Sequence, residues 1–296
     1  MNNKQIGETF KKLRRSKGIS QIDIVSHDFS QSALSRFEKG ENSISVVKFL
    51  TILENSGIMQ DEFYQHLQLN IHSKNPLFTP DLVIAYNLND SKLMLDIIRE
   101  QEIHFRNTRN PIDRLALVYS KTIYEFLTKN KILTSIDTNY AFEYLMSLKG
   151  WSRVEIRLAS AFLNIFNDEQ LTALLKVINK KTRKFLDDML TKQKYYQLLG
   201  NLLDCLLMRK RYKDALTIVN SINFDHIPDD MTMEKIYFNF NQQHTLFCNG
   251  NSKALDKMKA IRKSCEILGL DTVLRPLDIE IDRCETILNK GKFYPY

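Results

Sequence analysis

The sequence predicts an all-α protein in two parts, a small N-terminal helical domain and a long helical repeat array. Three observations carry this. Apolar residues recur at i, i+3, i+4 and i+7 through most of the chain, the period of a helix face. No stretch shows strand-like alternation closed by hairpin turns. Between Leu82 and the terminal tail only Pro111, Pro228 and Pro276 interrupt the pattern. Each is expected at a helix start or in a connection, where proline is tolerated. A chain of 296 residues is long enough for two domains and a large core.

The first helix is expected from about Ile6 to Lys17, with Ile6, Phe10 and Leu13 as its inner stripe and Gly18 closing it. Ser20 caps a short second helix that turns Ile24 and Val25 inward. His27-Asp28-Phe29 form a turn, Ser30 caps a third helix and Gly40 ends it. Residues 20–40 therefore read as a helix-turn-helix. The third helix is apolar on one side (Ala33, Leu34, Phe37) and presents Gln31, Ser32, Ser35 and Arg36 on the other. A helix of that kind suits a DNA major groove. A fourth helix over Ser45–Asn55 sets Val46, Phe49, Leu50 and Leu53 on one face, and Ile58–Phe63 open a short fifth. The expected organisation is a five-helix domain over 1–66, a linker over 67–80 that includes two prolines, and a helical array over 81–296.

Helices in the array are expected near 91–106, 111–129, 136–149, 152–166, 168–186, 190–210, 212–221, 231–248, 254–268 and 271–289. Their short connections favour antiparallel hairpins, and stacked hairpins build a superhelix. The segment YYQLLGNLLDCLLMRKRYKDALTIV resembles a tetratricopeptide (TPR) hairpin, a long helix and a basic turn at Arg209–Arg211 with Tyr212 and Ala215 opening the next helix.

Charge and reactive residues narrow the function further. The formal net charge is +7, and residues 1–40 hold eight Lys and Arg against four acids. Lys11, Lys12, Arg14, Arg15 and Lys17 crowd the end of the first helix beside the polar face of the third, a pattern that suits phosphate contacts. The four cysteines (205, 248, 265, 284) make no CxxC pair and read as reduced thiols of a cytoplasmic protein. No apolar run approaches the roughly 20 residues of a membrane span. The start, MNNKQIGETFKK, has no signal-peptide core. The six histidines (27, 66, 72, 104, 226, 244) show no ligand spacing, so no metal is expected, and no cofactor motif of the GxGxxG, Walker A or GxSxG kind is present. The acid pairs Asp187-Asp188 and Asp229-Asp230 are expected in a helix interior and a loop, solvated. The sequence thus predicts no enzyme.

GETFKKLRRSKGIS, then SQSALSRFEKGENSIS and KFLTILENSGIMQDEF, resemble the start of Rgg/GadR/MutR-type transcriptional regulators of the XRE group. SRFEKGE followed closely by IS and KFL is the specific part. The resemblance spans the whole chain, strongest in the first 66 residues, and extends to the surroundings of Trp151. It implies a lambda-repressor-like domain, a TPR-like superhelix, a homodimer on double-stranded DNA, and a short signalling peptide held by the array in a quorum-sensing circuit. Some members carry a bridging cysteine in the DNA-binding domain; here Ser43 and Ser45 stand near that place.

By that resemblance Gln21 meets phosphate and Gln31 an adenine, whose N6 and N7 match a carboxamide. Ser32, Ser35 and Arg36 share the exposed face, and Arg14 and Arg15 are the expected phosphate contacts. For the peptide, Arg153 and Arg157 are candidates for its carboxylate. Asn164, Asn201, Asn239 and Asn241 suit its backbone because a carboxamide both donates and accepts, and Tyr237 with Phe238 offers an apolar wall. Asn201, between Leu198-Leu199 and Leu202-Leu203, needs a partner if buried, which a peptide groove would provide; the alternative is that it caps a local turn after Gly200. Dimerisation is expected from helices 254–289, with Leu255, Met258, Ile261, Leu268, Leu274, Ile281 and Ile287 as surplus apolar surface. The alternative reading is a helical-repeat adaptor or scaffold without peptide sensing.

Overall fold

A computed structural model describes residues 2–25, 29–70, 77–222 and 227–290, and the chain divides into two compact units, Met1–Val83 and Ile84–Tyr296. His27, Asp28, His72, His226 and residues 71–76 of the expected linker lie outside the described residues. Every regular element among the described residues is a helix.

In the first unit, α1 (Asn3–Ser16) begins with a reciprocal capping box between Asn2 and Gln5. Helix α2 (Gln31–Glu38) is capped by Ser30, α3 (Val46–Asn55) by Ser45, and α4 (Gln60–Asn70) follows. The helix expected to open at Ser20 begins as expected, with Ser20 and Asp23 exchanging backbone-to-side-chain hydrogen bonds. It reaches only a turn over 21–24, however, so among the described residues up to Asn70 four regular helices stand where five were expected. The expected linker also starts too early, since α4 continues to Asn70. Phe10, Leu13, Ile24, Phe29, Leu34, Phe37, Ile52, Leu53, Ile58, Phe63 and Leu67 form one core. A chain of ring contacts joins Phe10, Phe37, Phe49 and Phe63.

Helices α1 and α2 touch closely at Gly7. A Cβ there would lie 2.0 Å from the carbonyl oxygen of Phe37, so only glycine permits this approach. Arg14 closes the same seam. Its Nε and Nη2 donate to the two oxygens of Glu38 at 2.6 and 3.0 Å, and Nη1 donates to the Ile19 carbonyl.

Helix α5 (Pro80–Asn87), which the sequence does not announce, leads to α6 (Ser91–Thr108) and α7 (Pro111–Thr128), the latter with proline at its first position. Then come α8 (Ser135–Ser147), α9 (Arg153–Phe162), α10 (Asp168–Thr182), a 3-10 turn at Arg183–Phe185, and α11 (Met189–Met208). The unit ends with α12 (Tyr212–Ser221), α13 (Thr232–Cys248), α14 (Ala254–Ile267) and α15 (Asp271–Asn289). Helices α7, α9, α11 and α13 pack each on the next. Around them α8 packs on α7 and α9, α12 on α11 and α13, and α14 on α13 and α15, the two-layer arrangement of stacked helical hairpins.

Two joints hold the stack. The expected basic turn after α11 is mortar rather than free surface. Arg209 reaches Asp168 and the Asn164 carbonyl, while Arg211 reaches the Asp168 carbonyl and Thr172, tying the turn to the start of α10. Trp151 is fully buried, its Nε1 donating to the Leu145 carbonyl at 2.9 Å and its backbone N–H to the Lys181 carbonyl at 2.8 Å. Lys181 in turn donates to the carbonyls of Leu145, Met146 and Leu148 at the end of α8.

Pro276 and the apolar residues of the last two helices are placed differently from expectation. Pro276 lies inside α15 rather than at its start, five residues past the first helical position. Leu255, Met258 and Ile281 are buried within the unit against Phe240 and Phe247, and Ile261 and Leu274 pack on the same core. The surplus apolar surface assigned to dimerisation is therefore mostly consumed within the chain; of that set only Leu268 and Ile287 are exposed.

Candidate functional site

Two surfaces collect the functional candidates, one on each unit. On the first, the Ser30 cap fixes the entry of α2 by accepting from the Ala33 N–H, and Leu34, Phe37 and Glu38 bury its inner face. Gln31, Ser32 and Arg36 are then exposed, and Ser35 is half-buried. Ser32 Oγ lies 3.1 Å from Ser30 Oγ, which holds it beside the helix start. A cleft of about 430 Å³ runs between α1, the 20–22 turn and α2, lined on its rim by Lys11, Arg15, Gln21, Gln31, Ser35 and Lys39. The surface offers cations and hydrogen-bonding groups together, and its carboxylate, Glu38, is neutralised from within by Arg14.

Three residues of the expected DNA-facing set are engaged within the chain. Arg14 is 5 % exposed and fully engaged by Glu38 and Ile19, so it holds the fold and is withdrawn from the expected phosphate contacts. Lys17 is drawn to α4, donating to the Gly57 carbonyl at 3.0 Å and pairing with Glu62 at 3.1 Å. Gln21 spends one amide hydrogen on Glu38 at 2.8 Å, which leaves a single one for any phosphate. Lys11, Lys12 and Arg15 remain as the outward cations of α1.

On the second unit, Met189 and Leu190 of α11 are exposed and Lys192, Gln193 and Tyr195 half-buried, and an accessible line runs on through half-buried Lys194 and Gln197 to exposed Asn201, Asp204 and Met208. The spacing of three and four residues puts the residues of this line on one face. Helices α9 and α13 flank it. Asn201 Nδ2 donates to Ser160 Oγ of α9 at 2.7 Å, and Asn241 Nδ2 of α13 donates to the Gly200 carbonyl at 3.4 Å. Gln193 and Gln197 both donate to Glu234 of α13, at 3.0 and 2.7 Å. Asn201 is thus exposed and paired with Ser160.

Electrostatics divide this stripe. At the N-terminal end of α11, burial and then the fields of Arg157 and Arg153 push the Lys194 ammonium below its usual range, against the pull of Glu234. At the other end, burial between the helices first, and the field of Glu280 as well, lift Asp204 to about 6, against a hydrogen bond from Asn241. His244 nearby is driven down to about 4 by burial and by Arg283, so it is neutral at pH 7.

The remaining expected peptide contacts scatter. Arg153 is tied to Asp188 at 2.9 Å. Asp188 is the N-cap of α11, accepting from Thr191, and not a helix-interior acid; Thr191 and Arg153 hold its carboxyl down to about 2. Arg157 stands at the cationic end, beside Tyr119 as well as Lys194. Asn164 lies past the end of α9, in the turn held by Arg209. Tyr237 and Asn241 share the stripe-facing side of α13, whereas Asn239, two residues from each, faces elsewhere. Phe238 is core. Sequence reasoning missed Ser160, Lys194, Gln197, Asp204 and His244. The signal was available: in an otherwise apolar helix, polar residues at 194, 197, 201 and 204 recur at helical spacing.

Among the described residues no cluster of His, Cys, Asp or Glu could hold a metal, and no helix is long and apolar enough to cross a membrane.

A small helical unit presenting a polar helix, and a stacked-hairpin array with a polar line along α11, define a two-part helical protein. Residues 97–276 match the family described as HTH-type transcriptional regulator Rgg, C-terminal domain. That is more than half of the chain, and the chain belongs to this family of transcriptional regulators. Solved structures share the fold across nearly the full length. The Streptococcus dysgalactiae SHP pheromone receptor Rgg2 is 20 % identical, with 94 % of this chain and 99 % of that one covered at a TM-score of 0.77. The PrgX/cCF10 complex is 19 % identical, covering 99 % and 95 % at a TM-score of 0.73. A bacterial peptide pheromone/receptor complex is 18 % identical, covering 95 % and 98 % at 0.70.

Proposed function

We propose that this regulator reads double-stranded DNA with α2 and senses a short signalling peptide in the groove over α11, acting as a cytoplasmic homodimer without catalysis. The observation that carries the peptide reading is the open stripe of α11. From Lys194 to Asp204 one face of α11 keeps carboxamide and charged groups unburied, the chemistry that an extended peptide backbone requires. That the receptors of similar fold are described as pheromone receptors and complexes supports the same reading. A homodimer follows from the limited surface of one small DNA-binding unit, since paired half-sites are commonly read by paired units.

On the DNA side Gln31 reads a base edge, Ser32, Ser35 and Arg36 support it, and Arg15 with Lys11 meets phosphates. Gln31→Ala and Arg15→Ala should fail differently on a duplex selected by the full chain from a random pool. Gln31→Ala is expected to cost about 1–3 kcal/mol on the selected duplex and to relax preference at one position. Arg15→Ala is expected to weaken all sequences alike and make the salt slope shallower by about one. Equal loss on specific and non-specific duplexes for both variants would contradict these roles.

On the peptide side Asn201→Ala should weaken binding of a library of synthetic apolar pentapeptides by about 1 kcal/mol, the net value of one hydrogen bond. Its melting temperature should hardly move, because the lost Ser160 partner is solvent-accessible. Unchanged peptide affinity with a lowered melting temperature would assign Asn201 to structure instead.

A further inference from the structure

The stripe on α11 carries opposite charges at its two ends, and this deepens the peptide-sensing reading, on which it rests. Lys194 and Asp204 are ten residues apart on one helix face, about 15 Å at 1.5 Å per residue. An extended chain advances roughly 3.3 Å per residue, so the interval matches roughly four to six residues of peptide. Between the charges lie only carboxamides, Gln197 and Asn201.

The flanking helices keep the same order. Lys194 lies in the field of Arg157 and Arg153 of α9 and of Glu234 of α13. One turn and more further on, Asn201 meets Ser160 and Gly200 meets Asn241. At the far end Asp204 faces Asn241 and Tyr237 of α13 and Glu280 of α15, with His244 neutral on the same side of α13. Glu280 is matched by Arg283 at 2.5 Å. Among the described residues neither Asp204 nor Lys194 stands in an ion pair; the Lys194 ammonium donates to Gln197 Oε1 at 2.9 Å. The exposed Asp204 carboxylate, supported by one carboxamide, can take an external cation, and the Lys194 ammonium, with one carboxamide acceptor, an external anion.

We propose that this groove selects a peptide of fixed direction, its C-terminal carboxylate at Lys194 and Arg157 and a cationic group, the N-terminal ammonium or a basic side chain near it, at Asp204. The two unmatched charges make the reverse direction unfavourable, because it sets ammonium against Lys194 and carboxylate against Asp204, and like charges in a partly desolvated groove repel.

The test uses the full chain and four libraries of apolar pentapeptides built from Leu, Ile, Val and Phe. One has both termini free; one is N-acetylated; one is N-acetylated with Lys at its first position; one has a free N-terminus and an amidated C-terminus. Affinity is read by calorimetric titration at pH 7.5. The free library is expected to bind at least tenfold more tightly than either the acetylated or the amidated one. Recovery of affinity by the acetylated Lys library assigns a side-chain cation to Asp204; failure to recover assigns the backbone ammonium. Asp204→Asn is expected to erase the acetylation effect while leaving the amidation effect, and Lys194→Met to do the opposite. Lowering the pH to 5, below the value of about 6 for Asp204, is expected to shrink the acetylation effect in the wild-type chain, since protonation removes the anion. Equal affinity for the free, acetylated and amidated libraries overturns the directional reading and leaves peptide sensing standing. No binding of any library overturns both.

Discussion

Arg14→Met is expected to destabilise the first unit by about 3–5 kcal/mol, the cost of leaving a buried carboxylate without its counter-ion. Arg14 and Glu38 are 5 % and 1 % exposed, and they meet through two parallel N–H···O bonds at 2.6 and 3.0 Å. Gln21 completes the shell of Glu38, and the Ile19 carbonyl takes the remaining guanidinium edge. Lysine cannot replace the fork, so Arg14→Lys should lose most of the same stability. Removing both charges, Arg14→Met with Glu38→Leu, should recover a large part, because two apolar groups leave no uncompensated ion. Scanning calorimetry of the full chain reads the result as an early transition in Arg14→Met that returns toward the wild-type temperature in the double variant. Arg15→Ala, on the exposed side of the same helix, should leave that transition in place. If Arg14→Met melts like the wild type and loses only DNA affinity, Arg14 is a phosphate contact after all.

The second large effect belongs to Trp151. Trp151→Ala should cost about 3–5 kcal/mol in the second unit, the range for emptying an aromatic site in a packed core. The ring is wholly enclosed, its Nε1 is bonded to Leu145, and Lys181 approaches its face at 5.8 Å while capping three carbonyls of α8. Loss of the ring therefore loosens the joint of α8, α9 and α10 as well as opening a cavity. Trp151→Phe keeps much of the packing and orphans only the Leu145 carbonyl from this donor, so it should cost less than half as much. Far-UV circular dichroism against temperature is the appropriate probe, because Trp151 is the one tryptophan and fluorescence would vanish with it. A Trp151→Ala melt within a degree of the wild type would remove this residue from the structural joint.

The helices were legible in the sequence because periodic apolar faces and caps set them locally. The array helices fall within a few residues of expectation, and Ser30, Ser45 and Pro111 start theirs as read. The charged residues were misread where sequence clustering replaced face geometry. Arg14 follows Phe10 by four residues and so joins the inner stripe of α1, although its neighbours in sequence are cations. Asn201 stands between leucines in sequence, but those occupy other faces of α11, and the position shares the open face with Lys194, Gln197 and Asp204. The apolar residues of α14 and α15 looked surplus because their partners, Phe240 and Phe247, lie on α13, at a distance in sequence that periodicity does not reach. The short second helix was overextended because a good cap at Ser20 starts a turn without ensuring that it propagates; helix nucleation is costly and needs several residues to follow.

The central claim is that one chain couples a peptide in the groove of its second unit to DNA held by its first. The most direct measurement is the affinity of the full chain for its selected duplex, with and without a saturating pentapeptide from the library that binds. Coupling predicts a change in DNA affinity of roughly 5- to 150-fold, in either direction, and an equal change in peptide affinity when DNA is bound, since linkage is reciprocal. The change should disappear in Asp204→Lys, which turns the anionic end of the groove cationic. Identical DNA affinities with and without bound peptide would contradict the account.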